Sequence, residues 1–533
     1  METTGLKKWL PLVTVCLGTF MLLIDVTIVN VALPDIAGDL KTSFGSLQWV
    51  VDAYALSLAA LVLGTGSIAD KVGHRRAYVA GLALFAAASM VCGVSPNVGA
   101  LIAARTVQGV GAAAMFATTF ALLNSNYSGR DRGTAYGLWG AVSGASAAVG
   151  PILGGVLTEG ASWRWIFFVN VPASVLAIVL CVVALKDASA TVTSRVDVAG
   201  MALFTASAAS LTYGLIRSNE DGWAEVGSWA WLVAAPVFLL AFVLVETRVA
   251  APMLDLGLLR NRSFVGVLLA GLVLTLAAFT SFTYVSIWLQ SVLGLSPIQA
   301  GLTGLPLSIA AFAVSAGIGR FLHGGRTGLI IGGGLLLIGA GGLANAALVH
   351  GSASWPELIP GFVLVGFGVG LATPTLGSAA MSAVPVERGG MAAGAVNTAR
   401  QLGFALGIAT LGTVFAARAT HVLSGRGVPS SGAVAKALSG GQARAVLGRA
   451  PVSRRGALDS ALHAAAVGGV QWAFVISGIA ALLAGVAVLV LMRPAREAAP
   501  AAPGSPSEPG SPSAAGSPSE PETASAASEP APA

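Results

Sequence analysis

Residues 10–34 read LPLVTVCLGTFMLLIDVTIVNVALP, an apolar run of 25 residues interrupted by one charge, Asp25. A helix needs roughly 20 such residues to cross a hydrocarbon core of about 30 Å, so this stretch is long enough to span a membrane. It is too long for a signal-peptide core and no small-residue cleavage site follows it, so it reads as a retained span. Moving outward, comparable runs recur at 47–68, 77–96, 100–124, 134–157, 165–185, 198–217, 228–247, 263–289, 298–319, 327–349, 356–380, 392–415 and 471–492. The expectation is an all-α integral membrane protein of fourteen transmembrane helices.

Composition agrees. Of the 533 residues, 55% are hydrophobic and 10% charged, against about 25% charged in soluble proteins. Most of the 68 glycines sit inside apolar runs such as 329–343, a habit of membrane helices. The three cysteines, Cys16, Cys92 and Cys181, all lie in apolar segments, so no disulfide framework or Cys-based zinc site is expected. The net charge of +6 comes from short basic clusters between spans, which argues against a nucleic-acid partner.

Those clusters orient the chain. With the N-terminus inside, 17 of the 29 Lys and Arg fall in cytoplasmic segments and 10 outside, seven of the latter within the single long segment 416–470. The positive-inside rule therefore places both termini in the cytoplasm. Polar connectors at 186–197 and 248–262 divide the spans into a six-helix bundle (1–185), an inserted pair (186–262) and a second six-helix bundle (263–492). Residues 416–470 read as an outer loop with a short helix near 433–447. The tail, 493–533, repeats Gly-Ser-Pro-Ser and has too few bulky apolar residues to order itself.

Ionisable residues are costly inside a bilayer, so buried acids are the first candidates for function. Of 23 Asp and Glu, the spans enclose only Asp25 and Asp52 away from helix ends. Burial penalises the charged form, so a carboxyl at that depth can exchange a proton near neutral pH, as proton coupling or cation recognition requires. The alternative for Asp25 is a structural hydrogen bond to Asn30 or Thr27. Arg105 lies at a depth similar to Asp52 and pairs with it or with Asp25. Arg400 has no comparably deep acid in its own bundle. It must find helix carbonyls, Asn397 or Gln401, an acid across the cavity, or a substrate.

Two glycine patterns complete the set. Gly66, Asp70, Lys71, Gly73, His74, Arg75 and Arg76 fill the short loop between spans 2 and 3, where charges bridge helix ends and glycine permits a tight reversal. In span 5, Gly140, Gly144, Gly150, Gly154 and Gly155 form a small-residue face for close helix approach, and Pro151 predicts a kink. Other motifs fail on context. The dinucleotide-like glycines from Gly109 lie within a span and follow no strand, and no lysine follows a glycine, so a Walker A site is absent. The five histidines are isolated, so no metal site or hydrolytic triad is expected.

Read together, these segments resemble the 14-helix drug:proton antiporters of the major facilitator superfamily. LIDVTIVNVALP (23–34) and WVVDAY (49–54) look like that family's first- and second-helix signatures. Residues 66–76 are similar to motif A, with His74 where a basic residue is usual; Arg105, Gln108, Gly109 and Gly111 to motif B; and residues 140–155 to the antiporter motif C. WRWIFFVNVP (163–172) and NTARQLG (397–403) extend the resemblance over residues 10–415. The second bundle's counterpart of motif A, at 317–326, lacks an acid.

The resemblance implies two six-helix bundles rocking about a central cavity and exporting hydrophobic or cationic compounds, antibiotics among them, against protons. In that scheme Asp25 and Asp52 take protons or cations, Arg105 tunes them, and Asp70 locks one access state. Asn30, Asn397, Arg400 and Gln401 are cavity or substrate candidates. The implied partners are a small amphiphilic substrate, protons and the lipid bilayer, with no cofactor and a monomeric state. Arginine outnumbers lysine 23 to 6, the usage of a GC-rich bacterial genome, so the implied site is a bacterial cytoplasmic membrane. Two rivals share the fold: a proton-linked transporter of one metabolite, such as a natural product, siderophore or amino acid, and a membrane sensor.

Overall fold

The computed structural model describes residues 5–42, 44–185, 197–221, 225–249, 252–318, 327–351, 353–385 and 388–492. Most of the first connector, the counterpart of motif A (save residues 317–318) and the tail 493–533 lie outside these ranges. Among the described residues all regular structure is helical. The first bundle comprises α1 (Gly5–Leu40), α2 (Phe44–Val72), α3 (His74–Gly93), α4 (Val98–Asn126), α5 (Gly129–Gly160), α6 (Trp165–Phe168) and α7 (Asn170–Ala184). The inserted pair is α8 (Val198–Asp221) and α9 (Val226–Glu246).

The second bundle opens with α10 (Arg262–Leu274), which continues through a π-helical turn into α11 (Ser281–Ile287). There follow α12 (Pro297–Leu302), α13 (Leu305–Ile318), α14 (Thr327–Leu348), α15 (Ile359–Ser382) and α16 (Gly389–Gly425). Two short helices, α17 (Ser431–Ser439) and α18 (Ala443–Arg449), precede the 40-residue α19 (Val452–Leu491). The near face is where α1 begins and α2 turns into α3; the far face holds the α1–α2 and α3–α4 connections.

Local chemistry sets several boundaries. The Asn97 side chain caps α4 by accepting from Ala100 N at 2.9 Å. Ser296 and Gln299 form a reciprocal capping box on α12, with Pro297 in its first turn. Lipid-facing stripes follow helical spacing: Val175, Val179, Val182 and Val183 on α7, and Ile479, Leu483, Val486 and Val490 on α19, are all exposed. Such stripes suit hydrocarbon, where the backbone of each helix satisfies itself. The glycines of α14 explain themselves by packing. A Cβ at Gly341 would stand 2.6 Å from Gly361 O of α15, and one at Gly339 2.8 Å from Gly478 O of α19, so both neighbours approach to backbone contact.

Thirteen helices among the described residues are long and apolar enough to cross a membrane. The expected fourteenth, span 134–157, lies in α5, a helix of 32 residues whose side chains at 147, 148 and 151 lie outside the described residues. α5 packs against α1, α13 and α15. Residues 416–470, expected as an outer loop, are helical for most of their length. α16 continues to Gly425, the expected short helix is the pair α17 and α18, and α19 begins at Val452. Leu423, Leu438, Ala443 and Leu462 are buried there, joined to the far end of the second bundle by one apolar cluster.

The two bundles meet along α2 and α16 and along α5 and α13, and α8 rests against both α2 and α16. Toward the near face, residues 115–123 of α4 and 389–400 of α16 are buried without a break. From Gln401 onward buried positions on α16 become intermittent. The halves are thus zipped together on the near side.

Candidate functional site

The deepest charges form one cluster in the first bundle. Asp25 on α1 and Arg105 on α4 are both completely buried and make an ion pair through Oδ2 and Nη1. The other carboxylate oxygen accepts from Gln108 Nε2 at 3.0 Å and from Asn170 Nδ2 at 3.1 Å. Arg105 also donates to Val50 O at 3.0 Å and to Gln108 Oε1 at 2.7 Å, and its guanidinium lies 4.3 Å from the Tyr54 ring centroid. Gln108 in turn donates to Ser89 Oγ at 2.8 Å. Four helices and the start of α7 therefore converge on one carboxylate whose charge is matched and whose oxygens are hydrogen-bonded, the condition for keeping a pair in low dielectric.

This geometry chooses between the sequence alternatives. Arg105 takes Asp25 as its ion-pair partner. Thr27 does not bond Asp25, because its hydroxyl donates to Ile24 O at 3.0 Å. The side chains of Asn30 and Pro151 lie outside the described residues, and with them the second alternative and the expected kink. Asp52 is half-buried on α2. Gln108, Asn170 and Ser89 are the members that sequence reasoning did not single out as site residues. For Gln108 a signal existed, since it stands three residues from Arg105 on the same helical face.

A second arrangement holds the near face. Residues 66–72, read from the sequence as loop, are the last two turns of α2, and the reversal into α3 is made by Gly73 alone at φ 97°. That left-handed conformation favours glycine. Asp70, buried, accepts from Gly390 N at 2.7 Å and Met391 N at 2.8 Å. Its carboxylate thus sits on the N-terminus of α16, where unpaired N–H groups and the helix dipole stabilise negative charge. His74 Nε2 approaches it at 3.4 Å. Gly66 lets the same α16 turn come close, since a Cβ there would run into Gly390 O. Beside this latch Arg388 pairs with Asp255, and Arg75 donates to Val182 O at 2.7 Å. Lys71 and Arg76 have partners of their own.

The glycines of α5 serve two neighbours. Gly140 faces Ser315 and Pro374, and Gly144 faces Ala311 at 3.4 Å, both in the second bundle; Gly155 faces Ile298 of α12. Gly150 and Gly154 face Thr27 and Ile28 of α1. Close approach on both sides ties α5 to the Asp25 helix and to the opposite bundle together. Ser315 Oγ donates to Gly137 O at 2.7 Å across the same seam.

Asn397 and Arg400 lie on α16 at the end of its buried stretch. Asn397 Nδ2 donates to Phe116 O of α4 at 3.0 Å, a second bond between bundles. Arg400 lies with its guanidinium 5.5 Å from the Phe116 ring centroid. Among the described residues it has no ion pair and no hydrogen bond, so neither a helix carbonyl, Asn397, Gln401 nor an acid satisfies it. Gln401 is half-buried beside it. Among the described residues no three His, Cys, Asp or Glu stand close enough together to hold a metal ion.

Comparison with known proteins agrees with this architecture. Residues 15–408 match the family model of the Major Facilitator Superfamily. The chain is 34% identical over 411 residues to the multidrug resistance protein Stp of Mycobacterium tuberculosis, covering 76% of each chain. It is 32% identical over 501 residues to the tetracenomycin C resistance and export protein of Streptomyces glaucescens, covering 91% of each. The puromycin resistance protein pur8 of Streptomyces alboniger is 35% identical over 436 residues, 80% of this chain and 86% of that one. In fold, the chain is similar to the human organic anion transporter MFSD10 (TETRAN), with a TM-score of 0.58 at 14% identity over 91% of this chain and all of that one. The paired bundles, the buried Asp25–Arg105 cluster and these matches lead to one assignment: the chain belongs to the Major Facilitator Superfamily, a family of multi-pass membrane transporters.

Proposed function

We propose that the protein is a proton-coupled antiporter that exports antibiotics or other hydrophobic compounds across the bacterial cytoplasmic membrane, with its near face and both termini in the cytoplasm, and that it works as a monomer. The observation that supports this most is Asp25, a carboxylate held at the centre of the first bundle by a guanidinium that a proton can replace. A proton arriving on Asp25 removes the negative charge, and Arg105 then keeps Val50 O, Gln108 and the Tyr54 and Phe167 rings. α1 carries Asp25 and packs on α5 through Gly150 and Gly154, so a shift in the pair reaches the seam between the bundles. Asp70 on the α16 N-terminus is the element that holds the near side shut in the present state.

The driving force is sufficient. Each charge moved through 100 mV yields about 2.3 kcal/mol, so one or two protons sustain concentration ratios of tens to thousands. The relatives named for export and resistance support drugs as the cargo. Those named for a single compound favour a narrower form of the same reading, an exporter dedicated to one natural product.

The test is a pH-sensitive dye signal in energised inverted vesicles, with a panel of antibiotics and Asp25→Asn alongside. Substrate-evoked proton release in the wild type, lost in the variant at equal expression, is expected. Transport unchanged in Asp25→Asn would remove Asp25 from coupling, and silence across a broad panel would favour a dedicated transporter or a sensor.

A further inference from the structure

Arg400 is a buried charge that neither the proposed coupling cluster nor the latch uses. It is 91% buried, with 9% of its surface exposed, and lies eleven residues into α16, about 16 Å from the near end of that helix. That is half the thickness of a hydrocarbon core of about 30 Å. Among the described residues no acid of the first bundle pairs with it. The ring it covers, Phe116, is eleven residues along α4 from Arg105, again about 16 Å, and Asp25 is already committed to Arg105. Behind it α10 closes in, with the Arg400 Cγ 3.3 Å from where a Cβ on Gly271 would stand.

The guanidinium therefore has an aromatic face as its partner and no acceptor on its N–H edge among the described residues. That edge is a rigid fork matched to carboxylate and similar anions, and it stays charged where lysine would neutralise. Its place along α16 matters as well. Residues 389–400 are buried continuously and the half-buried stretch begins at Gln401, so Arg400 sits at the end of the closely packed stretch. An unmatched cation at mid-membrane depth is costly, and a substrate that brings its own negative charge removes that cost on binding.

We propose that Arg400 binds an acidic group, a carboxylate or phenolate, of an aromatic amphiphile, with Phe116 supplying the adjoining ring surface. This deepens the exporter reading above and rests on it for the direction of transport. It assigns the chain a substrate class opposite in charge to the lipophilic cations that the family resemblance implies.

The test uses two dyes of one xanthene skeleton and opposite charge, fluorescein and rhodamine 6G, binding to the full chain in lipid nanodiscs in gluconate buffer, read by polarisation with no ion gradient. Fluorescein is expected to bind the wild type at least about tenfold more tightly than rhodamine 6G. Arg400→Gln is expected to weaken fluorescein about tenfold or more, as loss of a charge-assisted hydrogen bond does, and to leave rhodamine 6G unchanged or tighter. Arg400→Lys, charged but without the fork, should fall between.

A wild type that prefers rhodamine 6G, or a folded Arg400→Gln that binds fluorescein as before, overturns the proposal. So does displacement of fluorescein by submillimolar chloride, which would make the site one for a small inorganic anion. If Arg400→Gln does not fold, the wild-type charge preference and the Lys variant decide. Because no gradient is present, failure of proton coupling in vesicles would sink the antiport reading without touching this result, and the reverse also holds.

Discussion

Asp70→Ala isolates the near-face latch. The carboxylate accepts from Gly390 N and Met391 N at 2.7 and 2.8 Å, and both donors belong to a helix start that is buried in the zipped state. Hydrogen bonds to a charged group are worth about 1.5–3 kcal/mol each, and a buried donor left without a partner costs about 1–3 kcal/mol. In the state open to the near side water satisfies the same groups, so only the closed state loses. A net penalty of about 3 kcal/mol shifts the equilibrium by a factor of order 100 toward near-side opening. Asp70→Asn keeps one acceptor oxygen and should shift it by about half as many kcal/mol.

The assay is the distance between spin labels at Arg130 and Leu259, both exposed, on a background with Cys16, Cys92 and Cys181 replaced. The Ala variant is expected to populate a longer distance that the wild type scarcely shows, with Asn between them. An Asp70→Ala protein that is folded and keeps the wild-type distribution would show that the two bonds contribute nothing to closure, and the latch would have to lie elsewhere.

Three further outcomes follow from the packing. Removing one partner of a buried ion pair costs about 3–5 kcal/mol, whereas removing both with similar shape is close to neutral, so Arg105→Gln and Asp25→Asn should each lower the apparent melting temperature and the double variant should recover most of the loss; additive losses would mean that the pair is not one unit. On α14, Gly333→Ala meets nothing within 4 Å and should stabilise by up to about 1 kcal/mol through helix propensity, while Gly341→Ala meets Gly361 O at 2.6 Å and should lower the yield of folded protein; equal behaviour in thermal melts would refute the close approach. On the far face, Arg164 and Trp163 hold the Asp39 carboxyl below its ordinary range, so their contribution is fully present above about pH 4 and is lost only as pH falls through the lowered value. Asp39→Asn should therefore give the same destabilisation at pH 5 and pH 8, and a difference between those two pH values in thermal melts would contradict it.

What the sequence disclosed and what it hid have a common physical cause. Asp25 and Arg105 were legible because a charge inside an apolar run is conspicuous in one dimension. Gln108, Asn170 and Ser89 are neutral, unremarkable in composition, and 19 to 145 residues from one another or from Asp25; only the packing of α1, α3, α4 and α7 brings them into one cluster. Hydropathy reports what a helix touches, not whether it is a helix. α5 was legible as the apolar run 134–157, and what the run did not show is that its glycines meet α1 on one side and the second bundle on the other. Residues 452–470 and the last turns of α2 are polar or charged because they project beyond the hydrocarbon, and polarity there was read as loop where the backbone continues as helix. Arg400 is the instructive remainder. Its charge was as conspicuous as that of Arg105, yet the sequence left its partner open among carbonyls, amides, an acid and a ligand. Packing removes the first three among the described residues, and a guanidinium at mid-depth with only an aromatic ring beside it is a group whose complement has to arrive from outside the chain.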